Sequence, residues 1–283
     1  MIIDCHTHIF PESVRTDREA FCQKDEGFSS IYSDPKARMS GARELIASMD
    51  EAGVSQSVIC GFPWKSLDLC HLHNEYLFES ASEYPNRLIV FPSIPFSDPD
   101  GSGRELEWAS KCGARGIGEI GFYQREMTSE NIHRIAPVLS LMEAQGMPLL
   151  LHTNETLGHS YPGKGQTPLE RFYDLIHLFP RLPVILAHWG GGLPFYELMP
   201  EVAKVMANVY YDTAASPFVF SSRIYAIVSE IVGAGKILFG SDFPLLSPRR
   251  YFRELDESRL SEGDRQKILG LNIAALLQLP PPV

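Results

Sequence analysis

The sequence predicts an α/β fold, a (β/α)8 TIM barrel with a long loop after strand 1, on three observations. Short β-branched runs alternate with longer amphipathic segments along the whole chain, the alternation can be counted eight times, and several amphipathic segments stop at a glycine just before the next run. With 283 residues, 44% of them hydrophobic, the chain can bury the core of such a barrel as one domain, and no linker or shift in composition marks a second.

Taken in order, the first strand is expected at residues 2–5, an apolar run that ends in Cys5-His6-Thr7-His8. A helix over 42–52 stops at Gly53, and a strand over 54–60 follows at once. The helix 69–84 leads to a strand at 88–93, and the helix 104–112 stops at Gly113 before a strand at 116–120. The helix 131–145 stops at Gly146 before a strand at 148–152. Helices over 169–179, 193–207, 219–232 and 262–278 then alternate with strands over 184–188, 209–212 and 237–240. Segment 9–40 is too long for a simple strand-to-helix connection and rich in polar residues, so it is expected to cross the barrel mouth as a lid. A second long loop, 153–167, holds His159, Tyr161 and Lys164.

In a strand, residues i and i+2 share a face, so His6 and His8 point one way and Cys5 and Thr7 the other, which makes a two-toothed metal clamp. Nine histidines leave room for a fortuitous His-x-His, and position has to decide. His71 and His73 are the contrast: on the expected helix they stand roughly 200° apart, and both are read as ordinary helix-surface residues. Barrel active sites lie at the carboxyl ends of the strands, where Glu119, His152, His188 and Asp242 join His6 and His8. Such groups are costly to bury unless paired or metal-bound.

Composition narrows the function. The formal net charge of -10 speaks against nucleic acid as a partner, leaving a small-molecule substrate. No apolar run is long enough to span a membrane, and the start of the first strand at Ile2 leaves no room for a signal peptide, so a cytoplasmic protein is expected. Five cysteines without C-x-x-C spacing read as reduced, small buried hydrophobes. A homo-oligomer is left open.

The motifs DCHTH, GEIGF, LLLHT, ILAHWGG and FGSDFP, in that order, resemble the amidohydrolase superfamily of metal-dependent barrels over nearly the whole chain. The likeness is to the branch that includes aminocarboxymuconate semialdehyde decarboxylase, aromatic-acid decarboxylases and 4-oxalomesaconate hydratase, while GEIG is also similar to TatD-type nucleases. The resemblance implies that His6, His8, His152 and Asp242 hold a divalent metal, with zinc expected, and that Asp242 takes a proton from the metal-bound water. Many binuclear members carry a carboxylated lysine on strand four, but here Glu119 stands there, to bind a metal, to bridge two, or to hold a ligand from behind. With one metal the resemblance makes His188 an acid/base or carbonyl-polarising group, and with two a ligand of the second. One tightly bound metal touched by Glu119 is expected, with a second site near His152 and His188 weak or absent.

The activity expected from these residues is hydrolysis of a small amide, ester or lactone by a metal-activated water. The alternatives are a lyase, decarboxylating or hydrating a small carboxylic acid, and a TatD-type nuclease. Lys164, Arg125 and Arg249 are secondary candidates for binding a substrate carboxylate. Phe10, Phe62, Trp64 and Phe243 are candidates for an aromatic wall, and Trp189 with Gly190, Gly191 and Gly192 for close backbone approach to the mouth.

Overall fold

The structure, a computed structural model, describes residues 1–123 and 127–280. Among the described residues eight strands run in chain order: β1 (Ile3–His8), β2 (Gln56–Cys60), β3 (Leu88–Phe91), β4 (Ile117–Ile120), β5 (Leu149–Leu151), β6 (Val184–Leu186), β7 (Val209–Asp212) and β8 (Ile237–Leu238). Sequential neighbours pair in parallel from β1 to β3 and from β4 to β8. The seam between β3 and β4 is joined by Arg115 N–H to Val90 O at 3.1 Å and Gly118 N–H to Pro92 O at 3.0 Å, and that between β8 and β1 by Cys5 N–H to Phe239 O at 2.8 Å. The barrel is therefore closed, as predicted. Inside it, Ile3, Cys5, Val58, Cys60, Phe91, Leu150, Ile185 and Leu238 pack together, sealed below by Ile273 and Leu277 of the last turns. Each fully buried aliphatic side chain contributes roughly 1.5–3 kcal/mol.

Two β-bulges aim the site. Between Asp4↔Ser57 and Thr7↔Ile59, β1 spends three residues against two of β2, and between Ile117↔Leu149 and Ile120↔Leu151, β4 does the same against β5. An extra residue reverses the inside–outside alternation. Hence Cys5 faces the interior below the bulge and His6 faces it above, which corrects the expectation that they oppose each other. In β4, Ile117 and Ile120 both pack outward against the helices, and Glu119 turns into the mouth.

The helices depart from expectation at prolines and caps. The helix Ala42–Ala52 matches and stops at Gly53 with φ 73°. Pro99–Lys111 begins five residues before the expected 104, because Asp98 caps it by accepting from Gly101 N–H and Pro99 suits its first turn. The expected 193–207 divides into a 3-10 turn, Leu193–Leu198, and a helix started by Pro200, which cannot continue the preceding turn. The helix Pro248–Glu257 was not anticipated. Segment 9–40 forms three short helices, Glu12–Thr16, Arg18–Lys24 and Glu26–Tyr32. Their Val14, Phe21, Phe28 and Tyr32 pack on Phe10, Phe62, Trp64 and Cys70, so this segment is a packed helical layer where a long loop is expected.

His73 is a correction. It is fully buried, not on the surface: its Nδ1 accepts from Phe62 N–H and Trp64 Nε1–H, each at 3.2 Å, and its Nε2 donates to Ile9 O at 2.7 Å. Burial pulls its imidazolium down to about 4, so the ring is neutral. Of the cysteines, Cys5, Cys60 and Cys70 are buried as expected, but Cys22 is half-buried and Cys112 exposed. Among the described residues no helix is long and apolar enough to cross a membrane.

Candidate active site

The upper rim of the barrel collects the predicted side chains within one cluster. His6 Nε2 lies 3.0 Å from His8 Nε2, 3.6 Å from Glu119 Oε1 and 3.8 Å from Asp242 Oδ1. His8 Nε2 stands 3.7 Å from Glu119 Oε2 and 3.5 Å from Asp242 Oδ1. Across Glu119, His152 Nδ1 lies 2.9 Å from Glu119 Oε1, and His188 Nε2 lies 3.7 Å from that oxygen and 3.2 Å from His152 Nδ1. All six predicted residues are thus brought together. Two sets of metal-capable donors result, His6–His8–Glu119 and Glu119–His152–His188, sharing the one carboxylate.

The donors fit a divalent cation. Ligand atoms each about 2.1 Å from a metal stand roughly 3.0–3.4 Å apart, which is near the spacings observed, and mixed imidazole and carboxylate donors suit first-row divalent ions. The environment is one of competing charges. Burial pulls the His6 imidazolium down, yet the carboxylates of Asp212 and Glu119 outweigh it and hold His6 well above its ordinary value. Burial likewise opposes the charged form of His152, and Glu119 raises it. His8 is lowered by burial and by the charge of His6. Burial would push Glu119 up, but His152 and His6 hold its carboxyl well below the usual range.

These shifts carry a pH prediction. Rings raised above their ordinary value hold protons that a cation must displace, and this competition is present below the raised value and vanishes above it. Metal affinity is therefore expected to fall as pH drops below the raised value of His6, by up to roughly tenfold per unit for each proton released. Chelator competition from alkaline to acid pH measures it; a flat profile would contradict the assignment of His6.

Local backbone aims the groups that follow the strands. β6 ends at Leu186, two residues earlier than expected, because His188 (φ 55°) and Trp189 (φ 58°) turn left-handed and leave the ladder. Gly190 and Gly191 continue in that conformation, and a Cβ on Gly191 would strike the Asn154 main chain, so the backbone there does approach closely. Asp242 is also left-handed at φ 57°, and its N–H donates to His6 O at 2.9 Å. Gly240 presses on the same place: a Cβ would lie 2.8 Å from His6 Cβ. Gly240→Ala is expected to displace His6 and cost about 1–3 kcal/mol by overpacking; thermal melts with metal titration would read both effects.

Sequence reasoning missed several residues. Asp212, the last of β7, is fully buried and accepts from His6 Nδ1 at 2.8 Å. It meets the same test as the others, a charged side chain ending an apolar strand, and that signal was available. Asp4 takes N–H from Ser241 at 2.9 Å and from His6 at 3.2 Å, and burial pushes its carboxyl up to about 7. Tyr123 sits 4.7 Å ring to ring from His152, and burial and the charge of Glu119 push its phenol up. Tyr32 is raised by burial and then by Asp242.

The secondary candidates fare less well. Phe10, Phe62 and Trp64 are core residues under the helical layer, and Phe243 packs with Ile9 and Leu45. Lys164 pairs with Glu155 at 2.9 Å and donates to Leu157 O, which fastens its own loop. Arg249 pairs with Glu51 at 3.0 Å on the surface. Arg125 lies outside the described residues.

A family profile described as amidohydrolase matches residues 3–279. The chain belongs to the amidohydrolase family. Its relatives within the family include a gamma-resorcylate decarboxylase of Polaromonas sp., 25% identical over 73% of this chain and 75% of that one. The 2-amino-3-carboxymuconate-6-semialdehyde decarboxylase of Dictyostelium discoideum is 24% identical over 99% of this chain and 92% of its own. Among solved structures, 5-carboxyvanillate decarboxylase from Sphingomonas paucimobilis superposes with a TM-score of 0.82 at 17% identity, covering 99% of both chains. A dihydroxybenzoic acid decarboxylase from Polaromonas sp., solved with manganese and 2-nitroresorcinol, gives 0.77 at 20% identity, over 99% of this chain and 98% of that one.

These relatives overturn the expected hydrolysis: they are decarboxylases, which are lyases. The reason the motifs misled is chemical, since a polarised substrate beside acid/base groups serves hydrolysis and decarboxylation alike. What stands is an enzyme of the amidohydrolase superfamily with a divalent-metal site. Zinc in particular finds no support, for the metal named in the related structure is manganese.

Proposed function

We propose that this amidohydrolase-family member is a metal-dependent decarboxylase of a small, unsaturated or aromatic carboxylic acid, with residues 1–283 acting as one catalytic unit. The observation that carries the reading is the alignment along 99% of the chain with a decarboxylase, together with the donor cluster at the barrel mouth. His6, His8, Glu119 and Asp242 would hold one cation of the manganese or zinc class, with His152 and His188 closing the far side of Glu119. When bound, the cation supplies Lewis-acid polarisation of a substrate oxygen.

The chain's own residues do the rest. Loss of carbon dioxide breaks a carbon–carbon bond and leaves its electron pair on the substrate carbon, which must take up a proton. Asp242 and His188 would hold and deliver it. A carboxylate that departs as neutral carbon dioxide loses charge, so surroundings poorer in water favour its loss. Tyr123, stacked on Phe62 at 6.1 Å and lying against His152, supports that reading.

The test is carbon dioxide release from a panel of hydroxybenzoates and unsaturated dicarboxylates by protein reconstituted with manganese or zinc. Release that disappears on chelation and returns with metal is expected. Metal-loaded protein that cleaves amide or lactone substrates and releases no carbon dioxide would overturn it.

A further inference from the structure

β7 ends in a carboxylate that none of these roles uses. Asp212 Oδ2 accepts from His6 Nδ1 at 2.8 Å, while Oδ1 accepts the main-chain N–H of His188 at 2.9 Å and of Ala214 at 3.0 Å. The Ala214 carbonyl in turn takes the Nδ1–H of His188 at 3.0 Å. Both rings therefore spend Nδ1 on partners behind them and present Nε2 to Glu119 Oε1, at 3.6 Å from His6 and 3.7 Å from His188.

We propose that Asp212 is the positioning residue of this site: it fixes His6 in the tautomer that leaves Nε2 free for the cation, and the same carboxylate shapes the left-handed turn that aims His188. The inference rests on the metal-site reading above. A neutral imidazole carries one ring proton, and the partner of one nitrogen decides what the other can do. A carboxylate only accepts, so Nδ1 must donate and Nε2 keeps its lone pair. The second function answers a cost. His188 lies at φ 55°, ψ 48°, a conformation unfavourable for a side-chain-bearing residue, and two N–H bonds to one buried oxygen hold the chain there.

Asp212→Asn is the informative change because the amide has one accepting oxygen. Two buried main-chain N–H groups claim it, which turns the NH2 toward His6 Nδ1. That nitrogen must then accept, and the ring proton moves to Nε2, where the cation belongs.

The experiment is a titration of metal-free protein with manganese and with zinc against a chelating dye, alongside thermal melts of the metal-free forms. Asp212→Asn is expected to lose about 10–100-fold in affinity while melting close to wild type. Ser216→Ala serves as control, removing the 2.9 Å bond from Trp189 Nε1 in the same turn and nothing that touches Asp212, and is expected to keep wild-type affinity. Nitrogen-15 histidine spectra of the zinc-loaded wild type should show His6 protonated at Nδ1 and metal-bound at Nε2, a readout that does not depend on the variants folding. Affinity within about threefold of wild type in Asp212→Asn, an equal loss in Ser216→Ala, or zinc on His6 Nδ1 would each overturn the proposal. A wild type that binds neither ion would instead sink the metal-dependent reading beneath it.

Discussion

His6→Ala and His8→Ala should each abolish stoichiometric metal binding and leave a folded barrel. Each change removes a nitrogen from a cluster whose members stand 3.0–3.8 Å apart, and two remaining carboxylates with a single imidazole are a weak site for a borderline cation. Little packing is lost, because the rings face polar groups more than the apolar interior. Metal analysis of purified, reconstituted protein measures it, and wild-type metal content in both variants would remove these histidines from the site. The other His-x-His pair now divides. His71→Ala, on a half-exposed ring paired with Glu105 at 3.0 Å, should leave metal content unchanged. His73→Ala should also keep the metal site but destabilise the fold by about 1–3 kcal/mol, since it strands the Phe62 and Trp64 N–H groups and the Ile9 carbonyl in the core.

Asp242→Asn should retain much of the metal and lose turnover by roughly 10²–10⁴-fold, the range for removal of a general acid or base. The substitution is clean for a local reason. Asp242 sits at φ 57°, a conformation asparagine tolerates, so its N–H can still donate to His6 O. What changes is that the side chain can no longer carry a proton. Steady-state carbon dioxide release at saturating metal reads the effect, and near-normal turnover would transfer proton delivery to His188.

Much of the barrel was legible because its signal is local. Strand spacing, apolar runs and glycine stops are properties of neighbouring residues, and the eight strands fall within a few residues of their expected places. The candidate site was legible for a related reason: on a barrel, strand order and carboxyl ends already determine which side chains share the mouth. Asp212 meets that criterion too, as a carboxylate that ends an apolar strand. The single helix expected over 193–207 is divided because Pro200 interrupts an otherwise helical pattern.

The sequence by itself determined the closed barrel, the meeting of His6, His8, Glu119, His152, His188 and Asp242, and membership of a metal-dependent family. Only the tertiary structure decided how those groups are aimed. The bulges in β1 and β4 depend on the register of the neighbouring strand, so alternation along one strand cannot reveal that Cys5 and His6 share the interior. Whether a helical histidine is a surface residue or a core one depends on what packs over it, and the layer from segment 9–40 buries His73 beneath Phe10 at 5.0 Å. The tautomer of His6 is set by a carboxylate more than two hundred residues away along the chain. Register, burial and hydrogen-bond partnership are relations between distant segments, and they come into being only when the chain closes on itself.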